Sequence, residues 1–234
     1  MARSARSMWC SVLLVGLVLG CATTGGRIAD DRPNIVIILI DDLGYHDLSI
    51  HGSNEVSTPN IDSIAREGVR LSHGYASAPI CAPMRAGLLT GRYATRFGYG
   101  NRTGSALEQI ERGRGVRTSE VFLSKHLKRL GYATGAIGKW HLGINRKYRP
   151  LNRGFDEFFG FLSGAHSFWT WSHWTNEHNP IYRDNERIFG EGYLSFAFSN
   201  EAVNFIDRHK AEPFFLYLAY NAVHSPLHAP PEYL

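Results

Sequence analysis

The sequence predicts an α/β fold, a mostly parallel central sheet with helices on both faces. Three observations carry that expectation. Residues 34–40 (Asn-Ile-Val-Ile-Ile-Leu-Ile) and 214–220 (Phe-Phe-Leu-Tyr-Leu-Ala-Tyr) are continuous apolar runs of strand length, the pattern of strands buried on both faces. Between them, segments of helical spacing alternate with strand-like segments, as in parallel strands joined by helical crossovers. Ionisable residues recur just past the strands: Asp41 and Asp42, then Lys139 and His141, then His224. That is the carboxyl edge, where open parallel sheets build their sites.

The elements follow in order. Residues 34–40 read as a buried central strand ending in Asp41-Asp42-Leu43-Gly44. Thr58 reads as an N-cap with Pro59 at the first helical position, and Gly68 ends that helix. Residues 69–76 read as a strand. Pro83 through Leu89 reads as a helix stopped by Gly91, with Cys81 just outside its N-terminus. Residues 93–117 are rich in Gly and Arg without periodicity and read as a long loop. Thr118 reads as the cap of a helix whose Phe122, Leu123, Leu127 and Leu130 share a face, closed by Gly131. Residues 132–138 read as a strand of small residues. Residues 145–190 are aromatic and irregular. Residues 193–209 read as a helix with Phe198, Ala202, Phe205 and Ile206 on one side, and Pro213 sits at the tolerated position before a strand.

Composition narrows the class. With 234 residues, 44% hydrophobic and 20% charged, the chain is no disordered tail, collagen-like repeat or multipass membrane protein. Three cysteines, Cys10, Cys21 and Cys81, exclude a disulfide scaffold. The formal charge of +4 falls to +2 without Arg3 and Arg6, too little to argue for nucleic acid or an anionic membrane.

Residues 1–20 have the parts of an export signal: a basic start at Arg3 and Arg6, then an apolar run over 12–19 that is short for a permanent span. The run ends Leu17-Val18-Leu19-Gly20-Cys21, similar to the lipobox of bacterial lipoproteins, in which the Cys takes a diacylglycerol. The alternative is an ordinary signal cut beside Gly20 or Ala22. The expected layout is a signal over 1–20, a small-residue linker over 21–32 and a catalytic domain over 33–234. The expected location is the periplasm or outer membrane, reached through a lipid anchor. Cys81 is then the one free thiol in an oxidising compartment.

Two adjacent carboxylates at a strand end suit a hard divalent cation, Ca²⁺ or Mg²⁺, provided the backbone turns there. The bland alternative is a solvated strand end with one Asp capping a turn. In Cys81-Ala82-Pro83-Met84-Arg85 a thiol stands at a helix N-terminus, where free amides and the helix dipole favour negative charge, and Arg85 rises on the same side. On the residues alone, an activated thiolate and a buried structural Cys are both open. Lys139 and His141 place a cation and an acid–base group two residues apart; a surface Lys and a packed His is the alternative. His224, in a turn before Pro226, taken singly reads as structural.

Together these segments resemble the type I sulfatase family of the alkaline-phosphatase superfamily. The resemblance spans residues 33–234 and is carried by six ordered segments: 34–44, 58–68, 81–92 with its Leu-Leu-Thr-Gly-Arg tail, 131–143, 154–160 and 213–231. It implies a sulfuric ester hydrolase acting on aryl sulfates and sulfated carbohydrates. It implies that Cys81 is oxidised to formylglycine by a formylglycine-generating enzyme, and that the aldehyde hydrate supplies the nucleophile. Asp41, Asp42 and the modified Cys81 match cation ligands, usually of Ca²⁺. Arg85 and Lys139 match the cations that hold formylglycine and sulfate. His141 matches the base that deprotonates the remaining hydroxyl, and His224 a sulfate-binding residue near the leaving oxygen.

The sequence departs from the family pattern twice. Met84 stands where Ser or Ala is usual, which bears on conversion of Cys81. No counterpart of the family's later Asp-Asn metal pair and further Lys precedes Leu234, so the chain reads as an N-terminal portion, with an unpaired apolar sheet edge expected near residues 214–220. Two other classes remain: a phosphoesterase of the same superfamily, which usually presents Ser or Thr rather than Cys as nucleophile, and a non-catalytic binder of sulfated glycans that keeps the aromatic segment 155–174.

Overall fold

The computed structural model describes residues 31–100, 106–169, 171 and 179–234. The expectations for Cys10, Cys21 and the export signal lie outside the described residues. Among the described residues, no helix is long and apolar enough to cross a membrane.

Among the described residues, six strands form one sheet. In chain order they are β1 (Ile35–Leu39), β2 (Ala133–Lys139), β3 (Glu157–Phe161), β4 (Ile181–Arg183), β5 (Glu186–Ile188) and β6 (Phe214–Ala219). Their spatial order is β1-β6-β2-β3-β4-β5, with the first four parallel and the β3–β4 and β4–β5 pairs antiparallel. The sheet is therefore mostly parallel, as the alternating pattern predicts. The helices are α1 (Pro59–Glu67), α2 (Cys81–Thr90), α3 (Ala106–Glu111), α4 (Leu123–Arg129) and α5 (Leu194–His209).

Two cores lie on the two faces. One gathers Ala86 and Leu89 of α2, Phe122, Leu127, Trp140, Phe155, Phe215 and Tyr217. Trp140 meets Phe155 edge-on at 5.9 Å, and Phe155 stacks near Phe215 at the same separation. The other face packs Phe198, Ala202 and Phe205 of α5 against Ile137, Phe159, Phe161, Leu216 and Leu218. The alternation along β6 explains the split: Phe215, Tyr217 and Ala219 face α2, while Phe214, Leu216 and Leu218 face α5. Each fully buried Phe contributes about 1.5–3 kcal/mol.

Several expectations need correction. Among the described residues, the run 34–40 lies at the sheet edge rather than at its centre, and Val36 and Ile38 are 43% and 53% exposed on the face away from α2. Residues 214–220 are not an edge; β6 sits between β1 and β2. A β-branched run reports burial in general, and it does not say which of two such runs lies outermost. Residues 69–76 form no strand; Val69, Leu71 and Tyr75 are exposed and bridge to no neighbour. The expected loop 93–117 holds a 3-10 turn at Ala94–Phe97 and the short α3. The irregular region 145–190 holds β3 and the β4–β5 hairpin, where Asp184 at φ 58 makes the turn.

The helix expected from Thr118 begins instead at Leu123, with Phe122 as N-cap. The cause is Arg153, whose guanidinium donates to the carbonyls of Val116, Arg117 and Glu120 and lies over the Phe122 ring. Those carbonyls are thereby held out of a helical ladder. Burial also lowers the pKa of Arg153, to about 10.

Candidate active site

The parallel strands end on one edge, and β1, β6 and β2 deliver the polar residues there. α2 begins at Cys81, two residues earlier than Pro83 suggests, so the thiol belongs to the helix's first turn rather than lying outside it. The first amides of a helix lack intrahelical partners and favour an anion or a nucleophile bearing negative charge.

Cys81 Sγ lies 3.2 Å from His141 Nδ1. His141 follows β2 with φ 57, a left-handed turn that brings its ring back over the strand end. The turn is prepared at Gly138, φ 101, where a Cβ would collide with the carbonyl of Ala219 on β6. Burial, with Lys139, Arg85 and His224 nearby, pushes the His141 pKa well below the usual imidazole value, so the ring is neutral near pH 7.

Behind the thiol lies a buried charge cluster. Asp41 accepts from Lys139 Nζ on Oδ2, and Arg85 reaches its Oδ1 at 3.2 Å. Arg85 also donates to the Lys139 carbonyl at 2.8 Å and the Tyr217 hydroxyl at 3.3 Å. Burial and the neighbouring Arg85 lower the Lys139 pKa, against the pull of Asp41 and Cys81. Burial alone would lower the Arg85 pKa, but Tyr217 and Asp41 outweigh it and the net shift is upward.

Asp42 points elsewhere. Its φ of 61 supplies the backbone turn at the strand end, and its exposed carboxylate stands 3.8 Å from His224 Nε2. Two backbone bonds lock these halves together: Asp41 N–H donates to the Ala222 carbonyl and Val223 N–H to the Asp41 carbonyl, each at 2.7 Å. The structure thus brings Cys81 to His141, Arg85 and Lys139 to Asp41, and Asp42 to His224. Among the described residues, no three His, Cys, Asp or Glu side chains gather into a metal cluster. The adjacent Asp41 and Asp42 carboxylates fit a hard cation in kind, while supplying part of the 6–8 oxygens Ca²⁺ takes.

Sequence reasoning missed three site neighbours. Tyr99 directs its hydroxyl to the His141 carbonyl at 3.5 Å, and burial raises its pKa. Gly164 lies against the His141 ring, so closely that a Cβ there would stand 2.6 Å from its Cε1. Asn221, just past β6, is buried with neither side-chain atom hydrogen-bonded. Only Asn221 had a signal, a polar residue at the end of an apolar strand.

Residues 33–234 match the family described as Sulfatase. The chain belongs to the sulfatase family. It is 38% identical over 230 residues to the N-acetylgalactosamine-6-sulfatase of Sus scrofa, covering 91% of this chain and 44% of that protein. The crystal structure of Ps i-CgsB superimposes with TM-score 0.78 at 40% identity, over 86% of this chain and 47% of that one; it is also solved in complex with k-i-k-neocarrahexaose. BT4656, solved with D-glucosamine-2-N,6-O-disulfate, superimposes with TM-score 0.69 at 29% identity, over 87% of this chain and 37% of that one. This sulfatase-family chain spans about half the length of the relatives it matches or less. The family match and these structures agree with the fold class and with the resemblance carried by the six motif segments.

Proposed function

We propose that the chain carries the nucleophile-bearing part of a sulfuric ester hydrolase that acts on a sulfated carbohydrate, using formylglycine made from Cys81 and a divalent cation, Ca²⁺ or Mg²⁺. The observation that supports this most is the Cys81–His141 contact at the N-terminus of α2, backed by Arg85 and Lys139. A sulfated sugar fits the carbohydrates in the Ps i-CgsB and BT4656 complexes.

The residues divide the work as follows. Conversion of Cys81 replaces sulfur by oxygen at a position where helix amides favour developing charge. His141, neutral through burial, has its Nδ1 3.2 Å from that side chain and takes a proton from a hydroxyl placed there. Arg85 and Lys139 hold anionic oxygens, and their burial strengthens that hold. His224, whose Nε2 stands 3.8 Å from Asp42, binds the sulfate near the leaving oxygen and gives it a proton. Asp41 and Asp42 would hold the cation, which when bound neutralises charge on the sulfuryl oxygens. The test is hydrolysis of an aryl sulfate and of a panel of sulfated saccharides after co-expression with a formylglycine-generating enzyme. Loss of turnover in Cys81→Ala and His141→Ala is expected. Turnover that survives Cys81→Ala overturns the reading.

We further propose export with lipid anchoring at Cys21, which rests on the lipobox-like end of the leader. Wild type is expected in membrane fractions and Cys21→Ser in the soluble fraction; the same distribution for both sinks the idea.

A further inference from the structure

Asn221 is 2% exposed, and neither Oδ1 nor Nδ2 has a hydrogen-bond partner. A buried carboxamide unpaired at both ends is costly, and such groups in native proteins call for a ligand or water. Its place in the fold is specific. Ala219 pairs with Leu39 on one side and with Gly138 on the other, and just past the strand Asp41 bonds to the backbone of the next two residues after Asn221, Ala222 and Val223, so Asn221 lies at the strand ends beside Asp41. Tyr217 and Ala219 face α2, whereas Tyr220 turns to α5 and meets Ser199 at 2.7 Å. Alternation assigns Asn221 to the α2 face, which Arg85 and Asp41 share. Arg85 Nε is likewise buried there without a hydrogen-bond partner.

We infer that Asn221 is a further ligand-holding residue of this site, its Oδ1 an oxygen donor to the divalent cation at Asp41 and Asp42 and its Nδ2 a donor to a sulfuryl oxygen of the bound ester. The inference rests on the cation and sulfate reading proposed above. A sulfate on a cation presents a positive centre and anionic oxygens side by side. A carboxamide is the neutral side chain that meets both, and Ca²⁺ accepts Asn oxygens readily. The orphaned acceptor and the orphaned donor are both accounted for by one bound pair. Asp in this place would serve the cation and repel the sulfate; Leu would serve neither.

The test is calorimetric titration of the full chain with Ca²⁺, and with inorganic sulfate in the presence of Ca²⁺, for wild type, Asn221→Leu, Asn221→Asp and Asp42→Asn. Asn221→Leu is expected to weaken both ligands about tenfold. Asn221→Asp is expected to bind Ca²⁺ at least as tightly as wild type while losing about tenfold in sulfate affinity. If Asn221→Leu fails to fold, the opposite shifts in Asn221→Asp decide the matter. Wild-type affinities in both Asn221 variants, with Ca²⁺ binding lost in Asp42→Asn, would overturn the inference and leave the cation reading standing: the amide would then be bonding to water. Unchanged Ca²⁺ binding in Asp42→Asn would overturn the cation reading, and the inference with it.

Discussion

The Sγ of Cys81 and the Nδ1 of His141 meet at 3.2 Å across sixty residues of chain. Cys81 is fixed by the start of α2, and His141 by a left-handed turn after β2. The ring is held from behind by the backbone of Gly164, in the segment after β3. Three elements thus set one pair, and each gives a separate way to disturb it.

Gly164→Ala is expected to displace the His141 ring. The added methyl would stand 2.6 Å from Cε1, so the ring must shift. A shift of about 1 Å at reacting groups costs on the order of 10²-fold in rate. The strain on the fold should be about 1–3 kcal/mol, typical of overpacking. Steady-state kinetics normalised to formylglycine content, together with urea melts, check this. Wild-type kcat in the Ala variant would show that the close approach does not position the base.

Cys81 is expected to become formylglycine when a formylglycine-generating enzyme is co-expressed, and Met84→Ser to convert at least as fully. Cys, Pro and Arg stand at the spacing of the family motif, and Met84 is the departure from it. Peptide mass spectrometry of the fragment ending at Arg85 reads the outcome. A thiol that persists in wild type and in Met84→Ser removes the proposed nucleophile.

Asp41 and Asp42 are neighbours with opposite surroundings, and their substitutions should separate cleanly. Asp41 is buried between Lys139 and Arg85, which are also buried. Asp41→Asn leaves two cations without their carboxylate, and breaking a buried pair costs about 3–5 kcal/mol. The Asp42 side chain is 63% exposed, and Asp42→Asn should stay within about 0.5 kcal/mol of wild type. Denaturant unfolding without added metal checks both; equal stabilities would contradict the cluster's assigned weight.

This contrast also marks how far the sequence can be read. The Asp-Asp pair, Cys-x-Pro-x-Arg, Lys139-x-His141 and His224 are legible because each is a short motif at the end of a strand or start of a helix. Periodicity alone places them on one sheet edge. Strand order is not legible, because β1 and β6 are equally apolar and only the pairing partners make one the edge. The β4–β5 hairpin is short and pairs through three residues a side, too few to show a period. The late start of α4 depends on Arg153, 33 residues beyond Glu120, and no local pattern announces it. Gly164 and Tyr99 act through close approach across the fold, which leaves no trace in spacing.

His209 closes α5 far from the active edge and gives a pH dependence of known sign. Its Nε2 meets Glu157 at 2.7 Å and its Nδ1 meets Glu212 at 2.9 Å, so both ring nitrogens face carboxylates. Arg208 bridges the same Glu157 to Glu201, tying the start of β3 to the helix. Partial burial opposes protonation of His209, but the two carboxylates outweigh it and its pKa lies above the usual value. A raised folded pKa means that the folded protein holds the proton more tightly than the unfolded chain. The stabilisation is therefore complete below the unfolded value of about 6.5 and disappears as pH rises through the raised folded value. Wild type should exceed His209→Gln by about 0.5–1 kcal/mol near pH 5.5, the range of a partly exposed pair, with the gap closing at alkaline pH. Parallel urea titrations of the two proteins across that range measure it. A gap that widens with rising pH would mean that His209 stabilises the fold as a neutral ring, and Glu157 would then owe its position to Arg208.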